Sequence, residues 1–166
     1  LSPYIISTVA ITGTAEDIFI VGSYAYVVGS EALQIINVAD PYNPAIIGSV
    51  DLPNWASGIS VSDGYAYIAD GGGGLKVVNI NNPQSPVVVS SLSSIDQAMD
   101  VYVLNSYAYM TDYNDGLYKI DISYPESPVV TDSVSTPGNS YGIEIFDNYA
   151  YVADGTSGLQ ICEYRI

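Results

Sequence analysis

The tripeptide YAY occurs four times, beginning at Tyr24, Tyr65, Tyr107 and Tyr149, at spacings of 41, 42 and 42 residues. A fixed period of this length means one supersecondary unit copied in tandem, which restricts the chain to architectures that stack such units. The copies read YAYVVGSEALQIINV, YAYIADGGGGLKVVNI, YAYMTDYNDGLYKIDI and YAYVADGTSGLQICEY. Three are followed by proline-bracketed loops, DPYNP, NPQSP and YPESP, each leading into a further β-rich run, AIIGSVDL, VVVSSLSS or VVTDSVST. Another run precedes each YAY: AEDIFIVG, ASGISVSDG, AMDVYVLN and YGIEIFDN.

Each unit therefore holds four short strands, a to d. Alternation and β-branched content identify them as strands, and no stretch sustains a 3.6-residue period. The a–b turns, Gly22-Ser23, Asp63-Gly64, Asn105-Ser106 and Asp147-Asn148, use residues that tolerate positive φ and suit tight hairpins. Prolines in the c–d loops cannot continue a ladder and stiffen the bend. Four antiparallel strands at this period describe a propeller blade, and one such sheet buries too little apolar surface unless it leans on another.

These signals predict an all-β chain: one β-propeller domain over residues 1–166, with four four-stranded blades. The opening SPYIISTVAI matches a strand d with its preceding proline, and the closing LQICEYRI matches a strand c. The N-terminal strand is therefore expected to complete the last blade and close the ring, leaving no free edge. A fragment of a larger ring and a two-chain ring of eight blades are the alternatives. Because the sequence does not begin with Met, it is expected to be excised from a longer chain, with any signal segment outside it.

Composition narrows function by exclusion. Eighteen acids against three bases give a net charge of −15. Nucleic-acid binding needs clustered Lys and Arg, so a nucleic-acid partner is not expected, nor an anionic membrane surface. No apolar run is long enough to span a bilayer, so no membrane insertion is expected within this chain. With no histidine, His-dependent triads and the usual zinc sites are excluded. The single cysteine, Cys162, lies in an alternating run and reads as a structural thiol. Sixteen tyrosines with few lysines have the look of a secreted surface protein, so the expected localisation is extracellular or cell-surface.

The run YAYVADGTSGLQI, with the DISYPESP exit at Asp121 to Pro128, resembles the LVIVD repeat family, in all four units. That resemblance implies a propeller of the kind found in bacterial and archaeal surface and secreted proteins. It carries over no catalytic residues. Copy one departs at Gly29-Ser30-Glu31-Ala32, and copy four replaces the Asp/Asn-Pro exit with Glu163-Tyr164-Arg165.

The candidate sites are few, with no catalytic or cofactor-binding constellation among them. Asp17 and Asp100 fall at matching places in strand a of units one and three, and Glu144 lies farther along strand a of unit four. In a propeller these line the channel and are the candidate metal ligands, calcium being the cation their oxygens suit; the competing reading is a solvated polar lining. Asp70, Asp112 and Asp154 follow strand b and read first as turn-formers whose carboxylates accept backbone N–H bonds. Trp55, Tyr113 and Tyr141 are expected on the b–c loop face, as a ligand or partner surface for protein or carbohydrate. The glycine run 71–74 lacks the Lys-Ser/Thr and helix that a phosphate cradle needs.

The function expected from this set is a non-enzymatic binding or structural module at the cell surface, an adhesin, scaffold or filament subunit capable of self-association. A carboxylate-dependent glycan hydrolase or lyase and a calcium-dependent recognition domain are the alternatives.

Overall fold

The computed structural model describes residues 2–30 and 32–164 and contains four separate antiparallel sheets, one per repeat. Blade one holds β1 (Ala15–Val21), β2 (Tyr24–Gly29), β3 (Ala32–Asn37) and β4 (Ala45–Asp51). Blade two holds β5 (Gly58–Ser62), β6 (Tyr65–Ala69), β7 (Leu75–Asn79) and β8 (Val87–Leu92). Blade three holds β9 (Ala98–Leu104), β10 (Tyr107–Asp112), β11 (Gly116–Asp121) and β12 (Val129–Val134). Blade four has three strands, β13 (Ile143–Phe146), β14 (Tyr149–Ala153) and β15 (Leu159–Glu163), with one 3-10 turn at Gly155–Ser157.

The turns form as their residues require. Asp63, Asn105 and Asp147 take positive φ at 49°, 54° and 52°, as does Gly22 at 58°. Short polar side chains tolerate that region, which a tight hairpin imposes. In each complete blade the pairing of strands c and d shifts register once, at Ile35/Ile36, Val77/Val78 or Lys119/Ile120, so a bulge bends every outer strand alike.

The YAY signature has a packing reason. Alternation puts both tyrosines on one face of the sheet and the alanine on the other. Tyr24 and Tyr26 of blade one pack in a cluster with Ala66, Ile59 and Ile68 of blade two. Tyr65 and Tyr67 meet Ala108, Val101 and Met110 of blade three. Tyr107 and Tyr109 meet Ala150, Ile143 and Val152 of blade four. Large rings against a small residue let consecutive blades approach closely while both stay well packed. Inner strands follow the same order, with β1 on β5, β5 on β9 and β9 on β13.

The expected closure is not formed. β13 has no comparable packing on β1, and residues 2–11 carry no strand pairing to β15. Instead the opening segment lies on blade one, where Val9 and Ile11 cover Ala25, Val27 and Ile36, and the Ser7 hydroxyl donates to the Pro41 carbonyl at 2.7 Å. The reason is local. An outer strand packs on the face of the blade that follows it as well as pairing within its own. The equivalent Ser90 of blade two donates to Pro125 of blade three, also at 2.7 Å. Residues 2–11 satisfy the first requirement with blade one, and the strand they would pair with lies elsewhere.

Candidate functional site

The channel acids act as joints between blades. Asp17 accepts the N–H of Ile18 with one oxygen and that of Ile59, in blade two, with the other, both at 2.8 Å. Asp100 does the same for Val101 at 2.8 Å and for Ile143 of blade four at 2.9 Å. The first residues of inner strands leave N–H groups facing the channel, and a carboxylate on one blade serves two of them. At the same place blades two and four carry Gly58 and Gly142. A Cβ on Gly58 would lie 2.8 Å from the Cα of Asp100, so an acid and a glycine alternate around the channel for steric reasons. At the joint between blades two and three, Ser60 accepts the Val103 N–H at 3.2 Å, and Ser57 donates to the Met99 carbonyl at 2.5 Å.

Asp17, Asp100 and Glu144 line one cavity of about 350 Å³ with Ser60 and Ser62. Burial pushes the Asp100 carboxyl above its ordinary range; the two N–H bonds oppose this, and the charges of Asp17 and Glu144 add to it. These three share an electrostatic field but do not converge on a point. Among the described residues, the three carboxylates whose oxygens lie within 4.8 Å of one another are Asp96, Asp112 and Asp115, on the b–c loop face.

The carboxylates after strand b anchor the connection that enters blades two, three and four. Asp112 accepts from Gln97 N–H at 2.8 Å, and from Asn114 and Asp115 N–H within its own loop at 2.9 and 3.0 Å. Asp154 accepts from the Gly138 N–H at 2.9 Å, the Thr136 hydroxyl at 2.7 Å and the Ser140 hydroxyl at 3.0 Å. Burial alone would raise the Asp154 carboxyl; the hydrogen bonds from Thr136, Ser140 and Gly138 outweigh it, so its pKa is lowered. Asp70 accepts from the Asn54 amide at 3.0 Å and pairs with Lys76 at 3.7 Å, while its second oxygen is buried without a partner. The turn role expected from sequence is met by Asp112 alone, whose carboxylate accepts from its own loop; the Asp70 and Asp154 carboxylates turn instead to the preceding connection.

That reach explains what sequence reading missed. Asp96 occupies the connector position held by Asn54 in blade two. Asn54 donates to the blade-two carboxylate, whereas Asp96 places a second acid beside Asp112. Aligning the d–a connectors, rather than the strands, would have exposed the substitution.

Of the three expected surface aromatics, two meet. The rings of Tyr113 and Tyr141 pack edge to face at 5.5 Å and 89°, and Thr111 fixes the Tyr141 backbone by donating to its carbonyl at 2.9 Å. Tyr113 as hydrogen-bond partner raises the Tyr141 hydroxyl pKa. Trp55 is exposed and, among the described residues, makes no ring contact with either. Cys162 is half-buried against the blade-three/blade-four core, and burial pushes its thiol up. Glu31, in the b–c loop of blade one, lies outside the described residues.

With the geometry in place, comparison with known proteins is informative about fold. Over 98% of its length the chain superposes on the computationally designed Ika4 protein, covering 99% of that chain, at a TM-score of 0.78 and 8% identity. It also superposes on the designed Ika8 protein, at a TM-score of 0.73 and 8% identity, over 90% of this chain and 46% of that one. At such identity the likeness speaks for the propeller architecture alone. No curated protein matches. The LVIVD repeat matches four times, at residues 12–52, 55–93, 96–136 and 137–162, in phase with the blades. These are repeats in a propeller-like β scaffold, and the chain belongs to the LVIVD repeat family.

Proposed function

We propose that this repeat domain is a non-enzymatic binding or structural module, working outside the cell or on its surface, whose b–c loop face meets a protein or carbohydrate partner. The observation that carries this reading is how the acids are used. Asp17, Asp100, Asp112 and Asp154 each accept two or more hydrogen bonds from the scaffold. Carboxylates committed in this way are poor general acids or bases, because their oxygens are not presented to a substrate. The loop face meanwhile offers Trp55 and the Tyr113–Tyr141 pair, side chains that give large contact area at low entropic cost. The localisation rests on composition and on the family resemblance.

The test is a binding screen of the purified domain against glycan and surface-protein arrays. Trp55→Ala and Tyr141→Ala should each lower a captured signal about tenfold or more while leaving the melting temperature nearly unchanged. A signal indifferent to both would move the contact surface elsewhere. Turnover of a glycan would replace this reading with the hydrolase or lyase alternative. A calcium-dependent form of the same role would draw on Asp96, Asp112 and Asp115; melting with calcium against chelator separates the two, since a bound ion raises the midpoint by mass action.

A further inference from the structure

The two ends of the blade series are unlike its middle. In blades one to three the leucine at the start of strand c is Leu33, Leu75 or Leu117, at 0%, 0% and 5% exposure, covered by the next blade. Its equivalent in blade four, Leu159, is 61% exposed, and Ile161 beside it is 58% exposed. At the other end, Ile18 of β1 is 55% exposed, while its equivalents Ile59, Val101 and Ile143 are at 4%, 4% and 7%. These faces are the two halves of a blade-to-blade interface that the chain makes three times and leaves unmade once.

The outer edge tells the same story. β15 pairs with β14 on one side only, while residues 2–11 sit on blade one as the outer strand of a blade that would precede it. In blades two and three the second residue of the outer strand, Val88 or Val130, packs into the core shared with the preceding blade. Its equivalent, Ile5, stands 86% exposed. Beside β15, a cavity of about 270 Å³ opens between blades three and four, lined by Tyr109, Leu117, Val134, Cys162 and Tyr164. It is the place blade four's outer strand would fill.

We infer that the occupant is a second copy of this chain, docked head to tail: residues 2–11 of each copy pair with β15 of the other, and each blade-four face covers the partner's blade one. Three observations select a second copy over closure of one chain on itself. Residues 2–11 are already fixed to blade one, and blade one does not pack on blade four. Bringing them to their own β15 would require blade four to come against blade one, a contact the elements of the two blades do not make. A second copy needs no such change, and the arc fits just under half of the longer designed propeller. The channel pattern also continues across the new joint. Gly142 has only one neighbour within 4 Å of a would-be Cβ, an Asp100 oxygen at 3.7 Å, so the space that Asp100 fills beside Gly58 is open there for the partner's Asp17. In a two-membered ring both contacts are equivalent, so the assembly closes. This inference does not depend on what the loop face binds.

A thiol probe tests it. The register of strands c and d in the complete blades pairs Val78 with Val88 and Ile120 with Val130, which sets Cys162 opposite Ile5. Directly opposed residues lie within disulfide reach. Ile5→Cys, oxidised with a glutathione couple at mildly alkaline pH, should form a disulfide to Cys162 of the other copy. The product should run at twice the 17.6 kDa chain mass on a non-reducing gel, and the unmodified protein should sediment at the same doubled mass. Adding Leu159→Asp should abolish both, and because Leu159 is exposed in the single chain the monomer should remain folded. A disulfide confined to one chain, a protein that sediments as a monomer at every concentration, or a ladder of larger species would each overturn the two-chain ring.

Discussion

Leu75 and Leu159 occupy the same position of the repeat, in blades two and four, and their surroundings differ completely. Leu75 is sealed between blades two and three, while Leu159 faces solvent. The contrast recurs at the other end, where Ile18 is open and its equivalent Ile59 is buried. The members of each pair share their strand and its register with strand b, and within the unit only Leu159 differs, lacking the outer strand that Leu92 supplies beside Leu75. Burial in a repeat scaffold is a property of the neighbour, and the stability of each blade is largely an interface term. A blade lacking a neighbour on one face keeps its ladder and loses most of its hydrophobic stabilisation there, about 1.5–3 kcal/mol for each large side chain left open.

The comparison breaks most visibly under truncation. Leu75→Ala should cost about 2–5 kcal/mol, the range for a buried leucine whose site collapses only partly, and Leu159→Ala about 0.5 kcal/mol or less in the single chain. Denaturant melts at high dilution give both values, and similar losses would mean that blade four is covered after all. A smaller effect separates the two channel glycines. Gly58→Ala forces a methyl against the Asp100 backbone and should destabilise by about 1–3 kcal/mol. Gly142→Ala meets only an ordinary contact and should be neutral, or stabilising by a few tenths of a kcal/mol, in the monomer. The same Gly142→Ala change should weaken association, which separates a crowded joint from an open one.

The smallest effect is one of pH. Asp100 titrates above its ordinary value of 3.8 in the folded chain, chiefly because it is buried. A raised carboxylate contributes stability that is complete below 3.8 and is lost as pH rises through the folded value. Asp100→Asn removes that contribution together with one of two N–H acceptors. The wild-type advantage over the variant should therefore be largest at and below about pH 3.8 and shrink as pH rises toward neutrality. Melting temperatures across that interval give the result directly, and a gap that widened with pH would reverse the assignment.

The blades were legible because their instructions are local and written four times. The YAY alternation, the hairpin pairs and the bracketing prolines each act within a few residues of themselves. The phase of the ends was legible in part: residues 2–11 pack on blade one as an outer strand packs on the blade after it, with Ser7 bonded as Ser90 is, but they pair with no strand. Which edge that strand meets was not, because strand identity carries no information about how far each joint turns. The site divided along the same line. Asp112 could be read as a turn-former from the short polar loop that follows it, whereas the Asp154 carboxylate bonds to the connection before its blade rather than to its own loop. The reach of Asp17 to Ile59, and the approach of Asp96 to Asp112, depend on segments brought together only when blades or connectors stack.

The most direct test of the account is amide hydrogen exchange over a dilution series, read separately for the strand-c segments and for residues 2–11. The account predicts that β7 and β11 stay protected at every concentration. β15 and residues 2–11 should gain protection together as concentration rises. Protection of β15 that is full and independent of dilution would contradict it, and so would exposure of β15 at concentrations where the chains have already associated.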